Sequence, residues 1–172
     1  TYVKDGKIDL SSVGISPEEF AQYHRICIVA CGSAYHVAMA AKYVLEDMTQ
    51  VPVEIDIASE FRYRNPILVK NSLVVIISQS GETADSLAAL RLAKEKGVAV
   101  LGVVNVVGSS IAREADATMY TWAGPEISVA TTKAYSTQLA ACYLLATEFA
   151  RVRGTLADGR YEHLVTELEA LP

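Results

Sequence analysis

The sequence has 172 residues, 51% of them hydrophobic and 20% charged, the profile of a soluble globular protein of one-domain size. Its net charge of -5 argues against nucleic acid or an anionic membrane as the main partner, and no apolar run approaches the roughly 18–20 residues of a membrane span. At this length folding removes roughly 68–70% of the surface that the unfolded chain exposes, so neither a disulfide nor a metal staple is required.

Cysteine and histidine usage agrees with that. Cys27, Cys31 and Cys142 are odd in number, lack Cys-x-x-Cys spacing and lie in apolar segments, so they read as buried thiols of a protein in a reducing cytosol. His24, His36 and His163 are scattered, and no metal-type cluster forms from them. The chain opens on Thr1 and not on Met, with no signal-peptide pattern, and reads as a piece of something longer.

In chain order, the first strong signal is Ser16-Pro17-Glu18-Glu19. Serine as N-cap, proline at the first helical position and glutamate at the third make a capping box. β-Branched and apolar runs at 26–31, 53–57, 73–78, 98–105 and 117–121 read as five strands, several nearly continuous in hydrophobicity, as suits a parallel sheet covered on both faces. Helical patterns at 34–48, 83–96 and 109–114 alternate with them. The alternation implies right-handed βαβ crossovers and a three-layer α/β/α sandwich. A long apolar helix is predicted over 131–151, closed by Arg151, Arg153 and Gly154. The tail 158–171 sets Tyr161, Leu164, Val165 and Leu168 on one helical stripe, able to dock on this domain or to lead into another.

Ligands of open α/β sheets bind beyond the carboxyl ends of the strands, which directs attention to three strand-to-helix junctions. The first is Cys31-Gly32-Ser33-Ala34, where Ser33 can cap the following helix. The second is Ser78-Gln79-Ser80-Gly81-Glu82-Thr83, and the third runs over 124–133 into the long helix. Glycine, serine and threonine are the ordinary contents of turns and N-caps, and that reading accounts for any one junction taken alone. The second is denser than capping demands: one hydroxyl caps a helix, whereas Ser78, Ser80 and Thr83 supply three beside a glycine that lets the backbone close on a ligand. A helix N-terminus offers unpaired N–H groups and about half a positive charge, so this loop is a phosphate cradle without cationic side chains. It suits a small phosphomonoester. The Gly-Lys-Ser/Thr signature of a nucleoside triphosphate site and the Gly-x-Gly-x-x-Gly turn of a dinucleotide site do not occur, and no cofactor is expected.

Glu82 would repel a phosphate and is expected to point outward, favouring the helix dipole. Lys133 in the first turn of a helix is disfavoured unless something negative lies nearby. Arg62 and Arg64 are either a solvated charge pair or contacts to a partner or substrate.

Taken together, "ACGSAYH", "EIDIASEFRYR", "NSLVVIISQSGETADSLAALRLAKEKG", "NVVGSSIAREAD" and "EISVATTKAYSTQLA" resemble the sugar isomerase (SIS) domains. "SQSGET" is typical of phosphosugar-binding SIS domains in general. "SEFRYR" with "VATTKAYSTQ" narrows the likeness to the first SIS domain of the glutamine:fructose-6-phosphate aminotransferases. The resemblance implies a flavodoxin-like five-stranded parallel sheet in residues 1–154. Residues 155–172 would form a C-terminal helix or linker toward a second SIS domain. It implies that Ser78, Gln79, Ser80 and Thr83 bind the phosphate or sugar of fructose 6-phosphate with Ser33 assisting, and that Val129, Ala130 and Thr131 line the sugar. The family often carries Thr-Ser where this chain has Ser33-Ala34, so one hydroxyl is missing at position 34.

The family's isomerisation groups, a glutamate base, a lysine and a histidine, lie in the second SIS domain and the C-terminal tail, and its ammonia comes from an N-terminal glutaminase domain. Cys31 ends a buried strand and is not that domain's nucleophile. The chain is therefore expected to bind fructose 6-phosphate or glucosamine 6-phosphate without turning them over, and to pair as a homodimer through apolar helical faces. The rival readings are a phosphosugar-sensing module of a regulator and a stand-alone phosphosugar isomerase using Glu126 or His36 as base.

Overall fold

The computed structural model describes residues 2–171, which begin with a short hairpin, β1 (Val3–Lys4) and β2 (Lys7–Ile8), and then α1 (Pro17–Gln22). The core elements follow as β3 (Arg25–Ala30), α2 (Ser33–Thr49), β4 (Val53–Ile57), α3 (Ala58–Phe61), β5 (Ser72–Ser78), α4 (Ala84–Glu95), β6 (Ala99–Val104), α5 (Ser110–Glu114) and β7 (Ala117–Tyr120). Two helices close the chain, α6 (Lys133–Arg153) and α7 (Arg160–Glu169).

The five core strands form one sheet in the order β4-β3-β5-β6-β7, every neighbouring pair parallel. This is the flavodoxin-like order, in which the chain leaves the first strand for one edge and returns to build toward the other. The reversal falls between β3 and β5. The apolar runs of the sequence form these strands because both faces are covered: all seven residues of β5 are buried. Alternation then sorts the core into two halves. Ile26, Ile28, Leu73, Val75 and Ile77 pack with α1, α2 and α6, whereas Val29, Val74 and Ile76 pack with α3, α4 and α5. Phe20 of α1 meets Phe149 of α6 edge to face at 5.1 Å between ring centres, which fastens the N-terminal helix to the long one.

The capping box forms as the sequence predicts: Glu19 N–H donates to Ser16 Oγ, and Ser16 N–H donates to the Glu19 carboxylate. Gly154 ends α6 in the left-handed conformation with φ 67°. The tail helix docks on this domain through Val165, 1% exposed, and Tyr161, whose hydroxyl accepts from Ile8 N–H at 2.9 Å.

Three local features differ from the sequence reading. The β1–β2 hairpin was not anticipated, because strands of two residues carry no periodicity; its signal is Asp5-Gly6, both at positive φ (51° and 69°), as a two-residue type I′ turn requires. The helix expected from 131 starts at Lys133, and the one expected from 34 starts at Ser33. The segment after β4 makes the short helix α3, and there Arg62 pairs with Asp85 at 2.7 Å and Arg64 pairs with Asp56. These arginines are thus held within the chain.

The two sheet edges are finished differently. On β7 the outward N–H groups of Thr118 and Tyr120 donate to Val13 O (2.9 Å) and to the Tyr2 hydroxyl (2.8 Å), whereas among the described residues β4 pairs with β3 alone. Among the described residues no helix is long and apolar enough to cross a membrane.

Candidate functional site

At the point where strand order reverses, the carboxyl ends of β3 and β5 and the N-termini of α2, α4 and α6 surround a cavity of about 460 Å³. The sequence-predicted residues Ser33, Ser78, Gln79, Ser80, Thr83, Val129 and Thr131 all line it. Ala130 belongs to the same loop and is exposed, but it is not part of the lining.

The loop after β5 is built around Gly81, at φ 66°. Gly81 N–H donates to Ser78 Oγ at 3.1 Å, Glu82 N–H donates to Ser80 Oγ at 3.2 Å, and the hydroxyls of Ser78 and Thr83 lie 3.3 Å apart. A β-carbon at position 81 would fall 2.1 Å from Ser109 Oγ, so only glycine fits. Beside the cavity, the hydroxyl that the sequence suggested as a helix cap, Ser33, does not act as one. No side chain among the described residues caps α2 or α4, and Ser33 is the first residue of α2 with Gly32 in the N-cap position. The first-turn N–H groups of α4 therefore remain available to a ligand, and on α2 those of Ser33 and Ala34 do, the Tyr35 N–H donating to Gly32 O at 3.1 Å.

Glu82 turns away from the cavity, as expected, but serves a different helix: its carboxylate accepts from Ser110 N–H at 2.7 Å, at the start of α5. Ser110, through its hydroxyl first and its N–H second, holds that carboxyl below the usual carboxylate range. Glu126 does for α6 what no serine does, accepting from the N–H groups of Thr132 and Ala134, each at 3.2 Å. The Ala134 N–H in first place keeps the Glu126 carboxyl below its ordinary value, and Lys133 adds to the effect. The Glu126 charge thus lies near Lys133, as the sequence required, although no ion pair joins the two among the described residues.

Among the described residues lining the cavity, Glu126 is the one that carries charge, and none is a lysine or arginine. The cavity's polar groups are therefore helix N–H dipoles and hydroxyls, with the amides of Gln79 and Gln138. Cys31 lies just past β3, half-buried in the cavity wall and not inside the strand as expected. Burial pushes the Cys27 and Cys142 thiols up to about 12, which leaves both inert as nucleophiles. His36 sits exposed on α2, outside the lining.

Sequence reasoning missed three residues. Asn105, at the end of β6, accepts from Ala123 N–H (2.8 Å) and donates to Gly124 O (2.7 Å), fixing the start of the loop that carries Glu126 to Thr131. Ser86 and Gln138 line the cavity from α4 and α6, each only 1% exposed. Their signal was present: Ser86 shares the buried stripe of Ala89, Leu90 and Ala93, and Gln138 that of Ala134, Ala141 and Leu145, where an apolar residue is the ordinary choice.

A five-stranded parallel sheet in this order, with a cavity at its switch point, defines a flavodoxin-like α/β domain. The chain belongs to the SIS domain family, which it matches over residues 19–148. It is 57% identical over 169 residues to the isomerizing glutamine–fructose-6-phosphate aminotransferase of Clostridium tetani, covering 98% of this chain and 28% of that protein. It is 52% identical over 170 residues to the same enzyme of Caldanaerobacter subterraneus, covering 99% of this chain and again 28% of the relative. Its structure superposes on the C-terminal domain of glucosamine-fructose-6-phosphate aminotransferase from Francisella tularensis with a TM-score of 0.93 at 43% identity, covering 98% of this chain and 48% of that one. The chain thus spans a little over a quarter of the length of these curated relatives.

Proposed function

We propose that this chain is the fructose 6-phosphate-binding half of the isomerase portion of a glutamine:fructose-6-phosphate aminotransferase, an enzyme that makes glucosamine 6-phosphate. The observation that carries this reading is the cavity between two uncapped helix N-termini, walled by hydroxyls and free of cationic side chains. A phosphate monoester there exchanges its hydration for fixed N–H dipoles of α2 and α4 and for the hydroxyls of Ser33, Ser78, Ser80 and Thr83. Gln79 adds an amide, and Val129 and Thr131 line the sugar end.

The chain's part is to position the substrate and offset its charge, while proton transfer belongs to groups outside these residues. The chemistry of Glu126 supports this division. A general base working near neutrality needs a pKa close to the operating pH, and backbone N–H groups hold this carboxyl low. Residues 155–172 lead toward a second SIS domain, and a glutaminase domain supplies ammonia in the whole protein. The setting is cytoplasmic. Exposed apolar residues on the packed pair of helices, Met39 and Tyr43 on α2 with Tyr143 on α6, support pairing as a homodimer, which sedimentation at micromolar concentration tests.

The deciding experiment is thermal unfolding with fructose 6-phosphate, glucosamine 6-phosphate, unphosphorylated fructose and inorganic phosphate, run on the chain and on its Ser80→Ala/Thr83→Ala variant. A ligand at 100 times its Kd stabilises by about 2.7 kcal/mol, or roughly 5–10 °C at this size. A shift with the phosphorylated ligands that is lost in the variant is expected. The absence of any shift in the wild-type chain would sink the reading, and aldose-ketose turnover by the chain alone would sink the division of labour.

A further inference from the structure

The hydrogen-bonding capacity of the cavity is spent unevenly. The hydroxyls of Ser78 and Ser80 brace their own loop, and the Glu126 carboxylate is taken up by the first turn of α6. On the other side, the Ser86 hydroxyl, the Thr131 hydroxyl and both atoms of the Gln138 amide are buried without a partner. Among the described residues seven buried side-chain polar atoms lack partners, and these four belong to residues lining this one cavity. Buried polar atoms without partners are costly, and folded proteins keep few of them. Their concentration at one place is the mark of a site arranged for something that arrives later.

Gln138 is the extreme case. It occupies the buried face of α6 between Ala134 and Ala141, 1% exposed, where a methionine or leucine of similar volume would fill the space without leaving an amide unpaired. A phosphate group offers acceptors, and the N-termini of α2 and α4 already supply donors for it. The rest of a hexose phosphate is a polyol, whose hydroxyls each donate and accept. A primary amide presents a donor and an acceptor side by side and matches that pattern.

We infer that Gln138 reads a hydroxyl of the bound sugar, accepting from it through Oε1 and donating to it through Nε2, and so sets the preference for a sugar phosphate over phosphate alone. This rests on the phosphosugar reading above and assigns its specificity to a residue outside the phosphate loop. Sites built to hydrogen-bond a hydroxyl discriminate strongly against ligands lacking it, because their buried polar groups are then left unpaired.

The test compares the 172-residue chain with Gln138→Met by calorimetric titration against fructose 6-phosphate and inorganic phosphate, together with the Tm of each ligand-free protein. Gln138→Leu is carried in parallel, so that a packing failure of one variant does not decide the result. The wild type is expected to bind fructose 6-phosphate at least about tenfold tighter than phosphate, a difference of about 1.4 kcal/mol. In the variants that ratio should fall to about two or less, with phosphate affinity unchanged and the ligand-free Tm equal or higher. A residue with only a structural role would give the opposite stability change.

An unchanged ratio in both variants overturns the inference, as does a fall in Tm accompanied by equal losses for both ligands. If the wild type binds the two ligands equally, this inference fails and the phosphate site stands. If it binds neither, the phosphosugar reading fails and carries this one down with it.

Discussion

The Glu82 carboxylate accepts the Ser110 N–H at 2.7 Å, and through it the loop after β5 is tied to the start of α5. One residue earlier, Gly81 O accepts from Ile111 N–H at 3.0 Å. The loop is held in place from behind by its neighbour along the sheet and not only by the helix it opens, so its geometry exists before a ligand binds.

That arrangement makes Gly81→Ala the sharpest probe of the loop. The substitution forces alanine to φ 66° and drives its β-carbon to 2.1 Å from Ser109 Oγ. The left-handed conformation alone costs about 1–2 kcal/mol, or roughly 2–8 °C in Tm, and relief of the clash adds to it. Differential scanning calorimetry should show at least this loss, and ligand-induced stabilisation should vanish. Adding Ser109→Gly, which opens the space, should recover part of the Tm. If the double variant is no better than the single one, the close approach to Ser109 is not the cause.

Glu126 gives a pH-dependent prediction. Its native carboxyl is held below the unfolded value of about 4.3, chiefly by the Ala134 N–H. A depressed carboxyl contributes stability above the unfolded pKa, and that contribution disappears as pH falls through the lower native one. Wild type should therefore exceed Glu126→Gln in Tm at pH 7, and the two should converge below about pH 4. A gap that stays constant from pH 7 to pH 3 would show that the carboxylate charge contributes nothing at the α6 terminus.

Asn105→Ala should loosen the loop without unfolding the sheet. Three of the hydrogen bonds that fix residues 121–124 run to this side chain, from Thr121 Oγ1 and Ala123 N–H and to Gly124 O. At about 0.5–1.5 kcal/mol net per bond, the loss should appear as faster amide exchange in 123–132, while β5 and β6 keep their protection. Unchanged exchange in that loop would remove Asn105 from the site.

The sheet was legible in the sequence because its strands are buried on both faces, and "LVVIIS" has no other economical place in a protein of this size. The phosphate-type loop was legible because it concentrates hydroxyls beyond what one cap uses. The roles of those hydroxyls were not. Ser33 was read as a cap from residue type, whereas Gly32 occupies the N-cap of α2; Thr83 does hold the N-cap position of α4, but its hydroxyl faces Ser78 and caps nothing. Capping of α6 fell to Glu126, seven residues ahead of the helix, a contact that no local pattern encodes. Gln138 stayed hidden because one amide among the apolar residues of a long helix barely disturbs the hydrophobic stripe.

The different treatment of the two sheet margins gives the molecule a polarity for unwanted assembly. With Thr118 and Tyr120 already engaged by the N-terminal arm, β7 offers a foreign strand no free row of donors. Templated growth is therefore confined to the β4 side, where Glu54 and Asp56, paired with Arg25 and Arg64, set charge beside the open row. Removing the N-terminal arm would free the β7 donors and leave strand-pairing edges open on both sides of the sheet.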